Sequence, residues 1–272
     1  RAAPADQPPP ALAATNLPPS GGPERSRRAR AEAASLGGID PVWLDPARRT
    51  AGHAETARVG AADWSPPLDW VFALAAQRAA GIKLGPAFDR ALIPADAEAQ
   101  WISVDGSTIE LVVWTGALAR PGVRRAALVV RGGTAAELTG GGDAEDADQR
   151  PLGAFVHEPE GAVIRARLIG EVARRLEAGM LAPGIAYLTS DAAVTSPFVQ
   201  SFRVREELPT DVKALARALR EREIGTLEIK KRGVDVDPAV LRTKLKLRGP
   251  HAATLILTRS GSSRVALLAD RV

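Results

Sequence analysis

The hydrophobic period of this chain changes near residue 100, and that change constrains its fold most strongly. Residues 42–44 are a short apolar run that predicts a buried strand, and Ile82-Lys83-Leu84 predicts the next short strand. Between them, Ser65-Pro66-Pro67 is expected to cap a helix that runs to about Ala80, with apolar residues on one face. A strand, a helix and a strand in this order predict one crossover unit of an α/β sheet.

After this unit the period becomes two. Residues 101–104, the dipeptide Asp105-Gly106 and residues 109–114 predict a β-hairpin. Residues 125–131 predict one more strand. The expected fold is therefore α/β, with a sheet that finishes in antiparallel strands.

The composition along the chain predicts five segments. Residues 1–30 are rich in Pro, Ala and Arg and are expected to be a disordered lead-in, and residues 31–131 form the partial α/β domain. Residues 132–150, rich in Gly and Asp, are expected to be a linker or surface loop. Residues 151–202 are expected to be a connecting helical segment, because apolar residues recur at i, i+4 from Ile164 to Leu176. Residues 203–272 predict a separate α-β-α-β-β domain. Its first helix is expected to be capped by Thr210, and its second to open at Asp237-Pro238.

Several classes of protein are excluded or disfavoured by composition. The chain has no Cys, which excludes disulfides, thiolate zinc sites and a cysteine nucleophile. It has no run of roughly 18 to 20 apolar residues and no signal-peptide pattern, so no membrane partner is expected and the cytoplasm is the expected location. Its three His residues share no metal-ligand spacing, so no metal is expected. The first residue is Arg1, so the natural start is expected to lie upstream.

The strongest local signal for chemistry is Asp45-Pro46-Ala47-Arg48-Arg49, at the end of the first apolar run. Ligands of open α/β sheets bind outside the carboxyl ends of the strands, where an Asp can accept hydrogen bonds from a substrate amino group or base edge. We therefore name Asp45, Pro46 and Arg48 as candidate catalytic residues. The alternative is that Asp45 only caps the following loop.

These residues and the segments around them carry a resemblance to a known family. The runs LDPARR, DWSPPLDWV, GIKLGPAFDRALIP and EAQWISVDG, followed by ELPTDVKALARALREREIGTLEIKKRGVDVDPAVLRTKLKLRG, resemble bacterial class I S-adenosylmethionine (SAM)-dependent methyltransferases with a C-terminal THUMP-like domain. The resemblance covers roughly residues 40–272, and it implies the C-terminal half of a Rossmann-like methyltransferase sheet followed by a small α+β domain. It assigns Asp45 to Arg48 to the motif near the methyl acceptor, places Lys83 to Pro86 near the same site, and implies SAM as cofactor.

Two departures from the family pattern bear on function. Arg48 stands where an aromatic residue would stack a flipped adenine. Residues 1–40 offer only Gly21-Gly22 and Gly37-Gly38, with no apolar strand before either pair, so neither is a credible cofactor loop. The chain is therefore expected to be a fragment or a degenerate enzyme, and to bind SAM poorly by itself.

A second candidate site follows from charge. The last 70 residues carry 16 Lys or Arg against 9 Asp or Glu. Seven cations concentrated between residues 227 and 248 are the candidate RNA-binding residues: Lys230, Lys231, Arg232, Arg242, Lys244, Lys246 and Arg248. Such a cluster favours backbone phosphates, and the THUMP-like resemblance implies RNA as the partner. The alternative is a solvated face with strand-edge lysines.

The predicted function is SAM-dependent methyl transfer to a nucleic acid, and the THUMP-like resemblance implies RNA. Two other functions stay open: a non-catalytic RNA-binding protein with a degenerate or truncated methyltransferase half, and an interaction protein whose basic face binds other proteins.

Overall fold

The computed structural model describes residues 31–33, 36–38, 41–48 and 64–272. The predicted disordered lead-in, residues 1–30, lies outside them. The strands are β1 (Val42–Leu44), β2 (Ala47–Arg48), β3 (Trp64–Ser65), β4 (Ala80–Leu84), β5 (Glu98–Val104), β6 (Ser107–Thr115), β7 (Arg125–Arg131), β8 (Thr134–Gly140), β9 (Phe155–Pro159), β10 (Gly179–Ala182), β11 (Ile185–Ser190), β12 (Val199–Leu208), β13 (Ile224–Lys231), β14 (His251–Ser260) and β15 (Ser263–Arg271). The helices are α1 (Leu68–Ala75), α2 (Gly161–Arg165), α3 (Ile169–Arg175), α4 (Val212–Glu221) and α5 (Pro238–Leu245), with 3₁₀ turns at Ala31–Ala33, Arg90–Leu92 and Gly116–Leu118.

The first sheet has six strands in the order β1-β4-β6-β5-β7-β8. Strands β1 and β4 are parallel, as are β5 and β7, and β6 runs antiparallel between β4 and β5. Four strands therefore point the same way, and their carboxyl ends, at Asp45, Gly85, Asp105 and Gly132, lie on one edge of the sheet. We call this edge the carboxyl edge. The β5–β6 hairpin turns at Asp105-Gly106, both with positive φ, as the sequence predicts.

Helix α1 differs from its prediction at both ends. Its N-cap is Pro67, which makes no side-chain cap bond, and Ser65 instead pairs with Ala47 in the small β2–β3 sheet. Pro67 disfavours helical backbone at the residue before it, so the helix starts only after the second proline. The helix ends at Ala75, and β4 already begins at Ala80.

The second sheet has seven strands in the order β10-β11-β9-β12-β15-β14-β13. Helices α4 and α5 cover one face of its C-terminal part, around buried Leu215, Leu219 and Leu245. From α4 to β15 the elements follow the predicted α-β-α-β-β order, but strand β12, which the prediction lacks, precedes them and contains the predicted domain start at residue 203. Helix α4 is capped by Asp211 rather than by Thr210, because the Asp211 carboxylate accepts the N–H groups of both Lys213 and Ala214.

Two predicted segments are corrected by the structure. The expected linker at 132–150 contains β8, which pairs along its length with β7. The expected helical segment at 151–202 contains α2 and α3, separated at Arg167, whose φ is 58°, and it also supplies three whole strands, β9 to β11, and the start of β12 to the second sheet. Short strands that are buried at every position, such as β10, show no alternation by which sequence reasoning finds strands.

The two sheets share one apolar core. Trp101 and Leu138 of the first sheet belong to the same buried cluster as Leu188 and Phe198. Helix α2 joins the units: its Ala162 N–H donates to Ser103 Oγ at 3.0 Å. Gly161 packs so closely that an added Cβ would lie 2.1 Å from Thr108 Oγ1. The second sheet is therefore fixed against the carboxyl edge of the first. In the described ranges, no helix is both long and apolar enough to cross a bilayer.

Candidate active site and nucleic-acid interface

Asp45 and Lys83 meet at the carboxyl ends of neighbouring parallel strands. The Lys83 ammonium donates to Asp45 Oδ2 at 2.9 Å, and about half of each side chain is exposed. Among the described residues this is the one hydrogen bond that the Asp45 carboxylate accepts. Within this part of the chain, no group bonds to Oδ1, which can take a substrate N–H.

The backbone around Asp45 is fixed by packing. Pro46 is buried, and Ala47 pairs with Ser65 just beyond it. Trp43, two residues before Asp45, packs on Trp114 with ring centroids 5.7 Å apart. A Cβ at Gly81 would lie 2.6 Å from the Trp43 ring, so the glycine is what admits the indole. The Arg48 backbone pairs with Trp64, and its side chain lies outside the described part of the chain.

The electrostatics assign different roles to the two groups. The hydrogen bond to Asp45 raises the pKa of Lys83, with smaller contributions from the charges of Asp45 and Glu110. Lys83 is therefore protonated at neutral pH and acts as a donor, not as a base. The pair offers carboxylate acceptors next to a fixed positive charge, which suits the orientation of an amino group or base edge.

The seven predicted RNA-binding cations do not form one surface. Side chains of a strand alternate between faces, and Lys230 and Arg232 lie on the face of the second sheet opposite α4 and α5. There Lys230 donates to Glu158 at 2.6 Å, and Arg232 lies 3.6 Å from the same carboxylate. Lys230 also lies over the Phe202 ring and Arg232 over the Tyr187 ring. These two cations are partly buried and already paired.

The other five cations lie on the helical side. Lys231, Lys244, Lys246 and Arg248 are exposed and form no ion pair with described residues, whereas Arg242 donates to the Leu227 carbonyl at 2.6 Å. Asp237 caps α5 through the N–H groups of Ala239 and Val240, as predicted. The candidate phosphate-binding surface is therefore α5 and the loop that follows it, which we call the α5 surface.

A cleft of about 560 Å³ separates the carboxyl edge from the second sheet. Asp105 and Arg131 line it from the first sheet, and Lys230, Arg232 and Arg271 from the second. Glu160, 6% exposed, also lines the cleft and pairs with Arg131. Sequence reasoning missed Arg131, Glu158 and Arg271 because they are far apart in the chain and none belongs to a motif.

His157 lies in β9 and is fully buried. Burial lowers its pKa to about 4, and its ring nitrogens lie 2.8 Å from Ser201 Oγ and Ser190 Oγ. Within the described residues, no group of three or more His, Cys, Asp or Glu could hold a metal ion.

The described residues do not by themselves form a SAM cradle. Such a cradle needs a strand that runs into a glycine-rich turn and a helix. In the described ranges no strand does so: Gly37-Gly38 follows no strand, and β4 leads through Gly85-Pro86 only to the 3₁₀ turn Arg90–Leu92. Gly21-Gly22 lies outside the described residues. The roles that the described residues can fill are therefore those of binding the methyl acceptor.

The sheet order and the C-terminal unit together define a class of fold. It is the C-terminal half of a methyltransferase sheet, followed by a THUMP-like domain. Residues 199–271 match the family described as THUMP domain-like. The chain also matches a crystal structure of a proposed methyltransferase from Porphyromonas gingivalis W83, with a TM-score of 0.65 and 22% identity over 84% of this chain and 58% of that one. The predicted fold class is thereby confirmed.

Two curated relatives are close enough to compare in sequence. They are the uncharacterised S-adenosylmethionine-dependent methyltransferases of Mycobacterium tuberculosis strains CDC 1551 / Oshkosh and ATCC 25618 / H37Rv. Each is 33% identical to this chain over 228 residues, which is 83% of this chain and 62% of the relative. The chain thus spans less than two thirds of the length of the curated relatives it matches. The resemblance to SAM-dependent methyltransferases with a THUMP-like domain is confirmed.

Proposed function

We propose that this chain is the acceptor-binding and RNA-docking part of a SAM-dependent methyltransferase that methylates RNA. The observation that carries the proposal is the Asp45–Lys83 pair, which lies at the carboxyl ends of two adjacent parallel strands. Ligands of open α/β sheets bind at that edge.

The second unit supports a nucleic-acid substrate. The α5 surface carries four exposed cations without described ion-pair partners, and it belongs to the THUMP-like residues 199–271. Backbone phosphates are the natural ligands of such a surface, and their binding weakens as salt rises. We propose the cytoplasm as the location, since a cellular RNA would be reached there.

In this proposal Asp45 accepts a hydrogen bond from the acceptor nucleotide, Pro46 holds the backbone at the strand exit, and Lys83 positions the carboxylate. SAM supplies an electrophilic methyl group when bound. Rate acceleration comes mainly from holding the acceptor at near-attack distance. Arg48 stays a candidate for the same pocket by its position in the sequence motif.

The alternative is a non-catalytic RNA-binding protein. It is favoured by one observation, that the described residues contain no glycine-rich SAM loop. It predicts RNA binding through the α5 surface with no methyl transfer and no effect of Asp45.

Calorimetric titration with SAM separates the two. The titration compares this chain with the form translated from the natural start of its gene. Binding by the longer form supports the enzyme, and its binding should survive Asp45→Asn, since Asp45 is assigned to the acceptor. Binding by neither form overturns the enzyme and leaves the RNA-binding protein.

A further inference from the structure

Four arginine side chains line a second cavity, of about 760 Å³, beside the cleft. They are Arg90, Arg165, Arg167 and Arg232, and we call this cavity the arginine groove. Its floor is apolar, formed by Phe88 and Trp101, which are 7% and 0% exposed. Asp89 is the one acidic residue in the lining, and its carboxylate already accepts the Ala91 N–H at 3.0 Å.

The groove opens at the carboxyl edge of the first sheet. Pro86, which follows β4, and Thr108, near the start of β6, both line it. Pro86 is three residues from Lys83. On the other side, Arg165 ends α2 and Arg167 lies two residues beyond it, and the first turn of α2 is fixed through Gly161 against Thr108. The packing of α2 therefore fixes the backbone from which Arg165 and Arg167 extend.

The positive charge of the groove is only partly neutralised by its neighbours. Asp143 is shared by three guanidinium groups, with Nε of Arg125 at 2.8 Å, Nη1 of Arg90 at 3.3 Å and Nε of Arg167 at 3.7 Å. One carboxylate cannot balance three cations. Arg165 is exposed and forms no ion pair with described residues. The buried Nε of Arg232 has no hydrogen-bond partner among the described residues.

The neighbouring cleft differs in charge from the arginine groove. Its four cations face Asp105, Glu158 and Glu160, so its charge is nearly balanced. The lining of the arginine groove has four cations and one acidic residue, Asp89. Two carboxylates outside the lining pair with three of these cations, but each also serves a further cation: Asp143 pairs with Arg125, and Glu158 with Lys230. Of the two cavities, the groove is the one built to attract an anion.

We propose that the arginine groove is a second phosphate-binding site, which holds a single-stranded segment of the RNA where it enters the carboxyl edge. This inference rests on the proposed function. The cavity volume falls in the range of roughly 300–1,000 Å³ that is usual for small-ligand sites, so it admits a splayed nucleotide and not a duplex. Arginine forks bind phosphate oxygens in pairs, and the apolar floor suits a base or ribose. Arg232 lines the groove and belongs to the second domain, so both units contribute to the site.

The test is binding of a fluorescein-labelled oligouridylate of about 12 nucleotides, within the site sizes usual for single-strand binders. Anisotropy is measured at several salt concentrations with the unaltered chain and with R165Q/R167Q. The matched control is R174Q/R175Q, two exposed arginines on α3 that pair with Glu171 instead. We expect R165Q/R167Q to bind about tenfold more weakly, and the slope of log K against log salt to fall by about 1.4, since each lost phosphate contact removes about 0.7. The control should match the unaltered chain.

Each of the other outcomes contradicts a specific part of the proposal. If the unaltered chain does not bind, the proposed function fails and this inference with it. If it binds and R165Q/R167Q binds equally well, while K244Q/K246Q of the α5 surface binds more weakly, only the arginine groove is overturned. Equal competition by polyglutamate would identify a general polyanion surface and contradict an RNA site. Should R165Q/R167Q fail to fold, Arg165→Gln alone decides, with an expected loss of about threefold to fivefold.

Discussion

The ammonium group of Lys230 lies 2.6 Å from Oε2 of Glu158, and this contact links β13 to β9 across three intervening strands of the second sheet. About a fifth of each side chain is exposed. Lys230, in the basic segment 230–232, therefore stabilises the second sheet through an ion pair. The cations of the α5 surface, a few residues later, form no ion pair with described residues.

Lys230→Met is therefore expected to destabilise the protein by about 2 kcal/mol, because it removes a charged hydrogen bond from a partly buried carboxylate. Arg232, 3.6 Å from the same carboxylate, limits the loss. Lys244→Met is the matched control and should change the free energy of unfolding by less than about 0.5 kcal/mol. Urea denaturation measures both, and equal effects would contradict the division of the cluster.

Arg120 is expected to matter for stability although it is half exposed. Its guanidinium binds Glu98, which is 1% exposed, and Glu137 at the same time. The bond to Glu137, then that to Glu98, raises the pKa of Arg120 further above its usual value. Arg120→Met leaves Glu98 buried without a cation and should cost about 3 kcal/mol, the low end for a broken buried pair because Arg120 is partly solvated.

The double variant R120M/E98Q checks that cause. Removing the buried charge as well should recover part of the loss in a denaturation experiment. A double variant less stable than R120M would show that the cost comes from lost packing and not from the unpaired carboxylate.

His157 predicts an acid-sensitive fold. Both neighbouring serines are also placed to donate to carbonyls, Ser201 to Val194 and Ser190 to Ala192. Burial lowers the pKa of His157 to about 4, so at neutral pH the ring is uncharged and one serine must donate to it. The unfolded chain takes up the proton near pH 6.5. The contribution of His157 is thus complete above pH 6.5 and is lost between pH 6.5 and about 4, to a total of about 3 kcal/mol.

The measurement is the free energy of unfolding of the unaltered chain and of His157→Gln from pH 7.5 to 4.5. The stability difference between them should shrink as the pH falls. A constant difference would mean that His157 does not titrate on unfolding.

Features that depend on a few neighbouring residues could be predicted from the sequence, whereas features that depend on contacts between distant residues could not. Asp237-Pro238 marked the start of α5 and Asp105-Gly106 the β-hairpin turn, because cap and turn chemistry are local. Strand β8 was missed because Gly- and Asp-rich residues around it resemble a loop, and only pairing with β7 makes it a strand. The Asp45–Lys83 contact joins residues 38 positions apart, so sequence could place each at a strand end but could not show that they touch.

Lys83→Met should separate positioning from stability. The pair is about half exposed, so its loss should cost less than about 1 kcal/mol of stability. Methyl transfer should fall about tenfold in kcat, because a carboxylate free to move orients the acceptor less well. Lys83→Arg should recover most of the rate. An unchanged kcat in Lys83→Met would show that Lys83 has no role in the site.

The most direct test of the account is transfer of labelled methyl groups from SAM to RNA. The protein translated from the natural start of the gene is compared with its Asp45→Asn variant, under conditions where both bind SAM equally. The account predicts incorporation into RNA by the unaltered protein and a loss of about 100-fold or more in the variant, with thermal stability unchanged. Equal incorporation by the two would contradict the role of Asp45, and RNA binding without incorporation by either would identify a non-catalytic RNA-binding protein.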